Sequence, residues 1–186
     1  MAPVTVPEGV LREMQEVGGD LYHLALVTSH GGNLSMRRGH EMWITGTGTM
    51  LGRLRDRHIS LVLPDGRHEG PPPSSDTVLH AAVYAVTGAS AVVHGHPRHA
   101  TALSFDTDLF VPADLEGHLH LKEVPVVAPG PLQVEQIAMA LQSHLIVILR
   151  GHGAYARGQN LWEALHWTTA LEESAHIEVI RRSLRS

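Results

Sequence analysis

The sequence predicts a layered α/β or α+β domain, because short extended segments are mixed with amphipathic helices along the chain. Two segments have a clear sequence signal for their secondary structure. Residues 145–149 (LIVIL) form a continuous apolar run, which is typical of a strand buried on both faces. Asn160 and Glu163 form a capping-box-like pair at the start of a long carboxyl-terminal helix. A chain of 186 residues is expected to fold as a single domain, residues 1–186.

The amino-terminal part predicts one helix and two hairpins. Apolar residues recur at helical spacing from residue 8 to about residue 27, which indicates an amphipathic helix. Alternating residues 33–37 and the extended segment 42–45 predict a first hairpin. Residues 61–63, followed by the turn dipeptide Asp65-Gly66, predict a second hairpin.

A helix and a strand are expected after the proline run 71–73. Ser74 or Ser75 can cap the helix, and Gly88 can end it. Residues 91–96 (AVVHGH) then predict a strand. The polar residues His94 and His96 would therefore lie at the end of an apolar strand.

Composition excludes several classes of protein. There is no cysteine, so disulfides, thiolate metal sites and a cysteine nucleophile are absent. The net charge of -5 and a pI near 6.3 argue against nucleic acid as a partner. The amino terminus lacks a basic region followed by a long apolar run, and no uninterrupted apolar span of eighteen residues occurs. We therefore expect a cytoplasmic protein that does not bind membranes.

Three histidines follow the pattern of a metal site. In a strand, residues two apart point to the same face, so His94 and His96 would converge on one point. Zinc accepts neutral imidazole and needs a third protein ligand in catalytic sites. His152, flanked by glycines after another apolar strand, is the candidate. A second H-x-H pair, His118 and His120, has no evident third ligand and is interpreted as an active-site rim or subunit contact.

Five motifs, in this order and rough spacing, resemble the class II aldolase/adducin-head family, and the resemblance extends from Leu11 to about Ile177. The family includes L-fuculose-1-phosphate aldolase and L-ribulose-5-phosphate 4-epimerase. The motifs are Gly32-Asn33-Leu34-Ser35, Ile44-Thr45-Gly46-Thr47-Gly48, Pro73-Ser74-Ser75-Asp76, Val93-His94-Gly95-His96 and Gly151-His152-Gly153.

The resemblance implies a three-layer α/β/α class II aldolase-like domain with a mainly antiparallel central sheet. It also implies a homotetramer with active sites at subunit interfaces. The metal would be Zn²⁺, with Mn²⁺ or Co²⁺ as alternatives, and the ligands that match by motif are His94, His96 and His152.

The resemblance assigns a phosphate site and a catalytic carboxylate. The residues matching the family's phosphate-binding segments are Gly32, Asn33, Thr47, Gly48, Ser74 and Ser75. Hydroxyls, a side-chain amide and backbone N–H groups near a helix start are suitable donors to an anion. Asp76 would stand beside the metal, where a carboxylate can move a proton to or from substrate.

The activity that the resemblance implies is reversible cleavage of a ketose 1-phosphate of the fuculose-1-phosphate type. The products would be dihydroxyacetone phosphate and an aldehyde, formed through a metal-bound enediolate. An L-ribulose-5-phosphate 4-epimerase is the first alternative, because Ser74-Ser75-Asp76-Thr77 also resembles that branch. A methylthioribulose-1-phosphate dehydratase shares the three histidines, but Asp76 in place of Glu disfavours it. A non-catalytic assembly module like the adducin head is the second alternative, disfavoured by the intact histidines.

Overall fold

Residues 4–185 are described by a computed structural model. Within them, nine strands form one sheet in the order β4-β3-β2-β1-β5-β9-β8-β7-β6. The bounds are β1 Asn33–Arg38, β2 Glu41–Thr45, β3 Ile59–Val62, β4 His68–Glu69, β5 Ala91–Gly95, β6 Leu109–Phe110, β7 Val124–Val127, β8 Ile146–Leu149 and β9 Gly153–Gly158.

Six α-helices accompany the sheet in the described part of the chain. They are α1 Glu8–His23, α2 Thr77–Val86, α3 Arg98–Leu103, α4 Leu115–His120, α5 Gln133–Ser143 and α6 Leu161–Ser183. Short 3₁₀ turns occur at Leu51–Arg53 and Asp56–His58. No helix among these residues is long and apolar enough to span a bilayer.

The sheet has an apolar core on each face, which gives three layers. One core joins α1 and α6 to the sheet through residues such as Met14, Val93 and Leu171. The other joins α2 and α5 to the opposite face, through residues such as Val83 and Ile137. Alternation along β5 explains the division, because Val92 lies in the second core and Val93 in the first.

The sheet is mainly antiparallel, as expected, and it contains one parallel pair. Every strand pair is antiparallel except β7 and β8, which run parallel. Parallel neighbours need a long crossover connection, and α5 supplies it between these two strands.

The two predicted hairpins are present as β1–β2 and β3–β4. The predicted cap of α6 is also present, because the Asn160 side chain accepts a hydrogen bond from the Glu163 N–H at 2.8 Å. The first helix ends at His23, earlier than expected, and neither Ser74 nor Ser75 occupies the cap position of α2, which falls on Asp76.

Candidate active site

His94 and His96 converge at the end of central strand β5. Their Nε2 atoms lie 3.1 Å apart. His94 is 2% exposed, and its Nδ1 lies 3.0 Å from the carbonyl oxygen of Ala154 on β9. An Nδ1–H that donates to this carbonyl leaves Nε2 with a free lone pair, as a metal ligand requires.

His152 completes the group from the turn between β8 and β9. Its Nε2 lies 3.1 Å from His94 Nε2. One ring nitrogen from each of the three histidines lies within 4.8 Å of the other two. The flanking glycines permit this approach. Gly151 has a φ of +68°, and a Cβ on Gly153 would meet the Gly95 carbonyl oxygen at 2.3 Å.

The three imidazoles fit a divalent metal. Nitrogen ligands of a tetrahedral zinc are separated by about 3.3 Å, since each Zn–N bond is about 2.0–2.1 Å long. The observed separations from His94 Nε2 are close to this value. Burial, reinforced by the nearby His96, lowers the pKa of His94 to about 3, and burial also lowers the pKa of His96. Both rings are therefore neutral near pH 7, as metal ligation requires.

Asp76 stands beside this cluster at the start of α2. Its Oδ2 accepts hydrogen bonds from Asn33 Nδ2 at 2.8 Å and from the Tyr155 hydroxyl at 3.0 Å, and lies 4.0 Å from His94 Nε2. Burial raises the pKa of the Asp76 carboxyl, but the hydrogen bonds from Asn33 and Tyr155 help to bring it below its ordinary value. The carboxylate is ionised at neutral pH.

The sequence reasoning did not identify Tyr155 or His80. The Tyr155 ring stacks on His94 with centroids 4.1 Å apart. His80, one turn after Asp76, is fully buried and lies 2.7 Å from Ser35 Oγ through its Nδ1. Neither residue lies in a recognisable motif. Only the strand register reveals Tyr155, which is paired with His94 across β5 and β9.

The residues predicted from sequence surround one cavity of about 230 Å³. The lining comprises His30, Gly31, Gly32, Asn33, Gly46, Thr47, Gly48, Ser74, Ser75, Asp76, His94, His96 and His152. All ten predicted site residues are included. The additional members, His30, Gly31 and Gly46, are sequence neighbours of predicted residues.

Backbone donors are available in this cavity. Among residues 4–185, the N–H groups of Gly32, Gly48 and Ser75 have no hydrogen-bond partner. Some of the predicted side-chain donors are already used within the protein. The Thr47 hydroxyl donates to the Pro73 carbonyl at 2.7 Å, and one N–H of the Asn33 amide donates to Asp76. An anion would therefore meet mainly backbone N–H groups, serine hydroxyls and the second N–H of Asn33.

The second H-x-H pair lies elsewhere. His118 and His120 belong to helix α4, where residues two apart point in diverging directions. His120 borders a separate cavity of about 270 Å³ with His166 of α6. Within the described residues, the triad His94, His96 and His152 is the metal-competent cluster of three or more ligands.

Comparison with known proteins identifies the family of this chain. The model of the family described as "Class II Aldolase and Adducin N-terminal domain" matches residues 12–179. The chain belongs to this family. A crystal structure of L-fuculose-1-phosphate aldolase from Thermus thermophilus shares 39% identity with a TM-score of 0.86, and 95% of each chain is covered. The expected α/β class II aldolase fold is thereby confirmed.

Two curated relatives carry different names. L-fuculose phosphate aldolase of Methanococcus maripaludis (strain C7) is 30% identical over 171 residues, which cover 89% of this chain and 93% of the relative. Methylthioribulose-1-phosphate dehydratase of Acidiphilium cryptum (strain JF-5) is 32% identical over an alignment of 194 positions, gaps included. The alignment covers 94% of this chain and 92% of the relative. The family is therefore established, while its members differ in the reaction that their names describe.

Proposed function

We propose that this chain is a metal-dependent aldolase that reversibly cleaves a ketose 1-phosphate of the fuculose-1-phosphate type. The products are dihydroxyacetone phosphate and an aldehyde. The observation that carries the proposal is the single cavity that contains three converging imidazoles, an ionised carboxylate and unpartnered N–H groups. The aldolase names of the Thermus and Methanococcus relatives support the same reaction.

His94, His96 and His152 would hold the metal, with Zn²⁺ as the first candidate and Mn²⁺ or Co²⁺ as alternatives. Such an ion supplies Lewis-acid polarisation of the substrate's carbonyl and hydroxyl oxygens. The chemistry of the donor set supports it, because neutral imidazole nitrogens in a three-ligand arrangement leave room for substrate oxygens.

The phosphate would bind in the same cavity as the histidines, on its other lining residues. We assign it to Gly32, Asn33, Thr47, Gly48, Ser74 and Ser75, with the free N–H groups of Gly32, Gly48 and Ser75 as the principal donors. The amino end of α2 begins at Thr77, so its partial positive charge adds to the attraction. The Thr47 side chain would shape the site, because its one hydroxyl donor is used within the protein. Asn33 donates one amide N–H to Asp76 and keeps a second N–H for the anion.

Asp76 is the proposed proton-transfer residue. Cleavage of the carbon–carbon bond leaves its electron pair on the dihydroxyacetone phosphate fragment as an enediolate. For this cleavage the Asp76 carboxylate first takes the proton of the substrate hydroxyl that becomes the aldehyde oxygen, and it then delivers that proton to the enediolate carbon. In the condensation direction both transfers run in reverse. The ionised resting state of Asp76 suits the start of either direction.

The first experiment follows the exchange of dihydroxyacetone phosphate protons in D₂O by NMR. Zinc-loaded protein is compared with chelator-treated protein and with His94→Ala. The aldolase is supported if one hydroxymethyl proton exchanges and this exchange requires both the metal and His94. No exchange by the zinc-loaded protein contradicts it. Dehydration of methylthioribulose 1-phosphate, epimerisation of ribulose 5-phosphate and an inert assembly module are then separated by direct assay.

The assembly and the domain count stay predictions. We propose a homotetramer of single-domain chains, residues 1–186, with active sites at subunit interfaces. Sedimentation velocity tests the assembly, since a monomer would contradict it. Limited proteolysis that leaves one resistant fragment would support one domain.

A further inference from the structure

Asn33, His94 and Tyr155 lie side by side across three adjacent strands. Asn33 on β1 pairs with His94 on β5, and His94 pairs with Tyr155 on β9. Directly paired residues project from the same face of a sheet. Strands are about 4.8 Å apart, so the backbones of Asn33 and Tyr155 lie roughly 10 Å apart, on either side of His94. Asp76 lies over the middle of this row and accepts from both ends.

Both hydrogen bonds reach the same carboxylate oxygen. Asn33 Nδ2 and the Tyr155 hydroxyl donate to Oδ2. Within residues 4–185, Oδ1 of Asp76 accepts no hydrogen bond, and it is not among the buried polar atoms that lack a partner. Oδ1 is therefore accessible to the cavity, whereas Oδ2 is held by the protein. The two oxygens of this carboxylate have different environments.

Tyr155 is well suited to act as a permanent donor. The residue is 2% exposed, and burial, together with the neighbouring Asp76 carboxylate, raises the pKa of its hydroxyl above the ordinary range. The hydroxyl thus keeps its proton at any pH at which the protein would be assayed. Its ring lies nearly parallel to the His94 ring, with an interplanar angle of 10°. One side chain therefore contacts both the proposed metal ligand and the proposed proton-transfer group.

We propose that Tyr155 is a positioning residue whose hydroxyl, together with Asn33, fixes Asp76 so that Oδ1 is the oxygen that exchanges a proton with substrate. The inference rests on the proposed function for the identity of the reaction. The geometric part, that the hydroxyl sets the orientation of the carboxylate, stands on the hydrogen bonds alone.

Tyr155→Phe tests the inference, because it removes the hydroxyl and keeps the stacked ring. Tyr84→Phe is the matched control. Tyr84 is also buried, and its hydroxyl lies 2.7 Å from Ser35 Oγ, with no contact to Asp76. Each variant loses one buried tyrosine hydroxyl, so a general loss of stability would affect both.

We expect Tyr155→Phe to lower kcat and the D₂O exchange rate by about 10- to 100-fold, because a carboxylate released from one anchor leaves the productive orientation. KM and bound zinc per chain should stay within twofold of wild type. Tyr84→Phe should keep wild-type kcat. An unchanged kcat in Tyr155→Phe overturns the inference, and so does a loss of zinc, which would assign Tyr155 to the metal site.

Crystal structures of the zinc-loaded wild type and Tyr155→Phe separate the two proposals. We expect the Asp76 carboxylate to rotate, or to occupy more than one orientation, in Tyr155→Phe. If the wild type shows no proton exchange, the proposed function fails, and the structures still decide the positioning role. An Asp76 carboxylate that keeps its orientation without the Tyr155 hydroxyl overturns the inference whatever the reaction proves to be.

Discussion

Replacing Gly153 by alanine should damage the metal site through the backbone. A Cβ at this position would lie 2.3 Å from the Gly95 carbonyl oxygen and 2.7 Å from His96 Cδ2. Close carbon–oxygen contacts in proteins begin at about 3.3 Å, so strand β9 must move away from β5 by about 1 Å. The neighbouring atom is backbone, so a side-chain rotation cannot relieve the clash.

This displacement acts directly on the ligands. His94 and His96 are carried by the end of β5, whereas His152 immediately precedes β9. Metal–ligand distances tolerate changes of about 0.2 Å. Disturbing the groups that orient metal ligands typically lowers metal affinity by about 10- to 100-fold, so we expect Gly153→Ala to weaken zinc binding by about that factor. Overpacking should also lower the free energy of unfolding by about 1–3 kcal/mol.

The assay is a zinc titration against a competing chelator, with thermal unfolding measured in parallel. Gly19→Ala is the control, because no atom lies within 4 Å of its added Cβ and its position within α1 favours alanine by up to about 1 kcal/mol. If Gly153→Ala folds and its zinc dissociation constant stays within about threefold of wild type, the argument is refuted. A glycine would then not be needed at the close approach of β9 to β5.

Three further outcomes are expected. Asp76→Asn should keep its zinc but lose exchange of dihydroxyacetone phosphate, and near-normal exchange would show that Asp76 is only a charge at a helix start. Burial lowers the pKa of His80 to about 4 from 6.5, so the unfolded chain takes up the proton first as the pH falls. Stability should therefore decrease as the pH falls from about 6.5 to about 4, by on the order of 3 kcal/mol from this residue. His80→Gln should flatten that part of the curve in urea titrations, and an identical slope would exclude His80 as the cause. Asn160→Ala should cost about 1 kcal/mol of unfolding free energy, because it removes the acceptor for the Glu163 N–H; an unchanged melting temperature would show that the cap contributes nothing.

The convergence of the three histidines could be predicted from sequence because the rule that identifies it is local. Alternation along a strand brings His94 and His96 together, and the glycines beside His152 indicate a tight approach. Strand alternation does not apply to His118 and His120, because α4 is a helix. Their spacing in the sequence is identical, so only the secondary structure distinguishes a converging pair from a diverging one.

Tyr155 could not be predicted, because its role depends on register between strands that are distant in sequence. The hydrogen bond from Tyr155 to Asp76 spans 79 residues, and the hydrogen bond from Asn33 to Asp76 spans 43. The parallel pairing of β7 and β8 has the same origin. It depends on how α5 returns the chain to the sheet, and hydrophobic pattern alone does not encode that direction.

The row formed by Asn33, His94 and Tyr155 links the proposed metal site to the proposed proton-transfer group. His94 occupies the central strand of the row, and the side chains on both neighbouring strands hold the carboxylate above it. The backbone hydrogen bonds that keep β1, β5 and β9 in register therefore hold both the His94 ring and the Asp76 carboxylate in place. A one-residue slip of either outer strand would turn Asn33 or Tyr155 to the opposite face and release Asp76, while leaving His94 in place. We therefore expect metal binding and proton transfer to be separable by mutation, even though one sheet positions both groups.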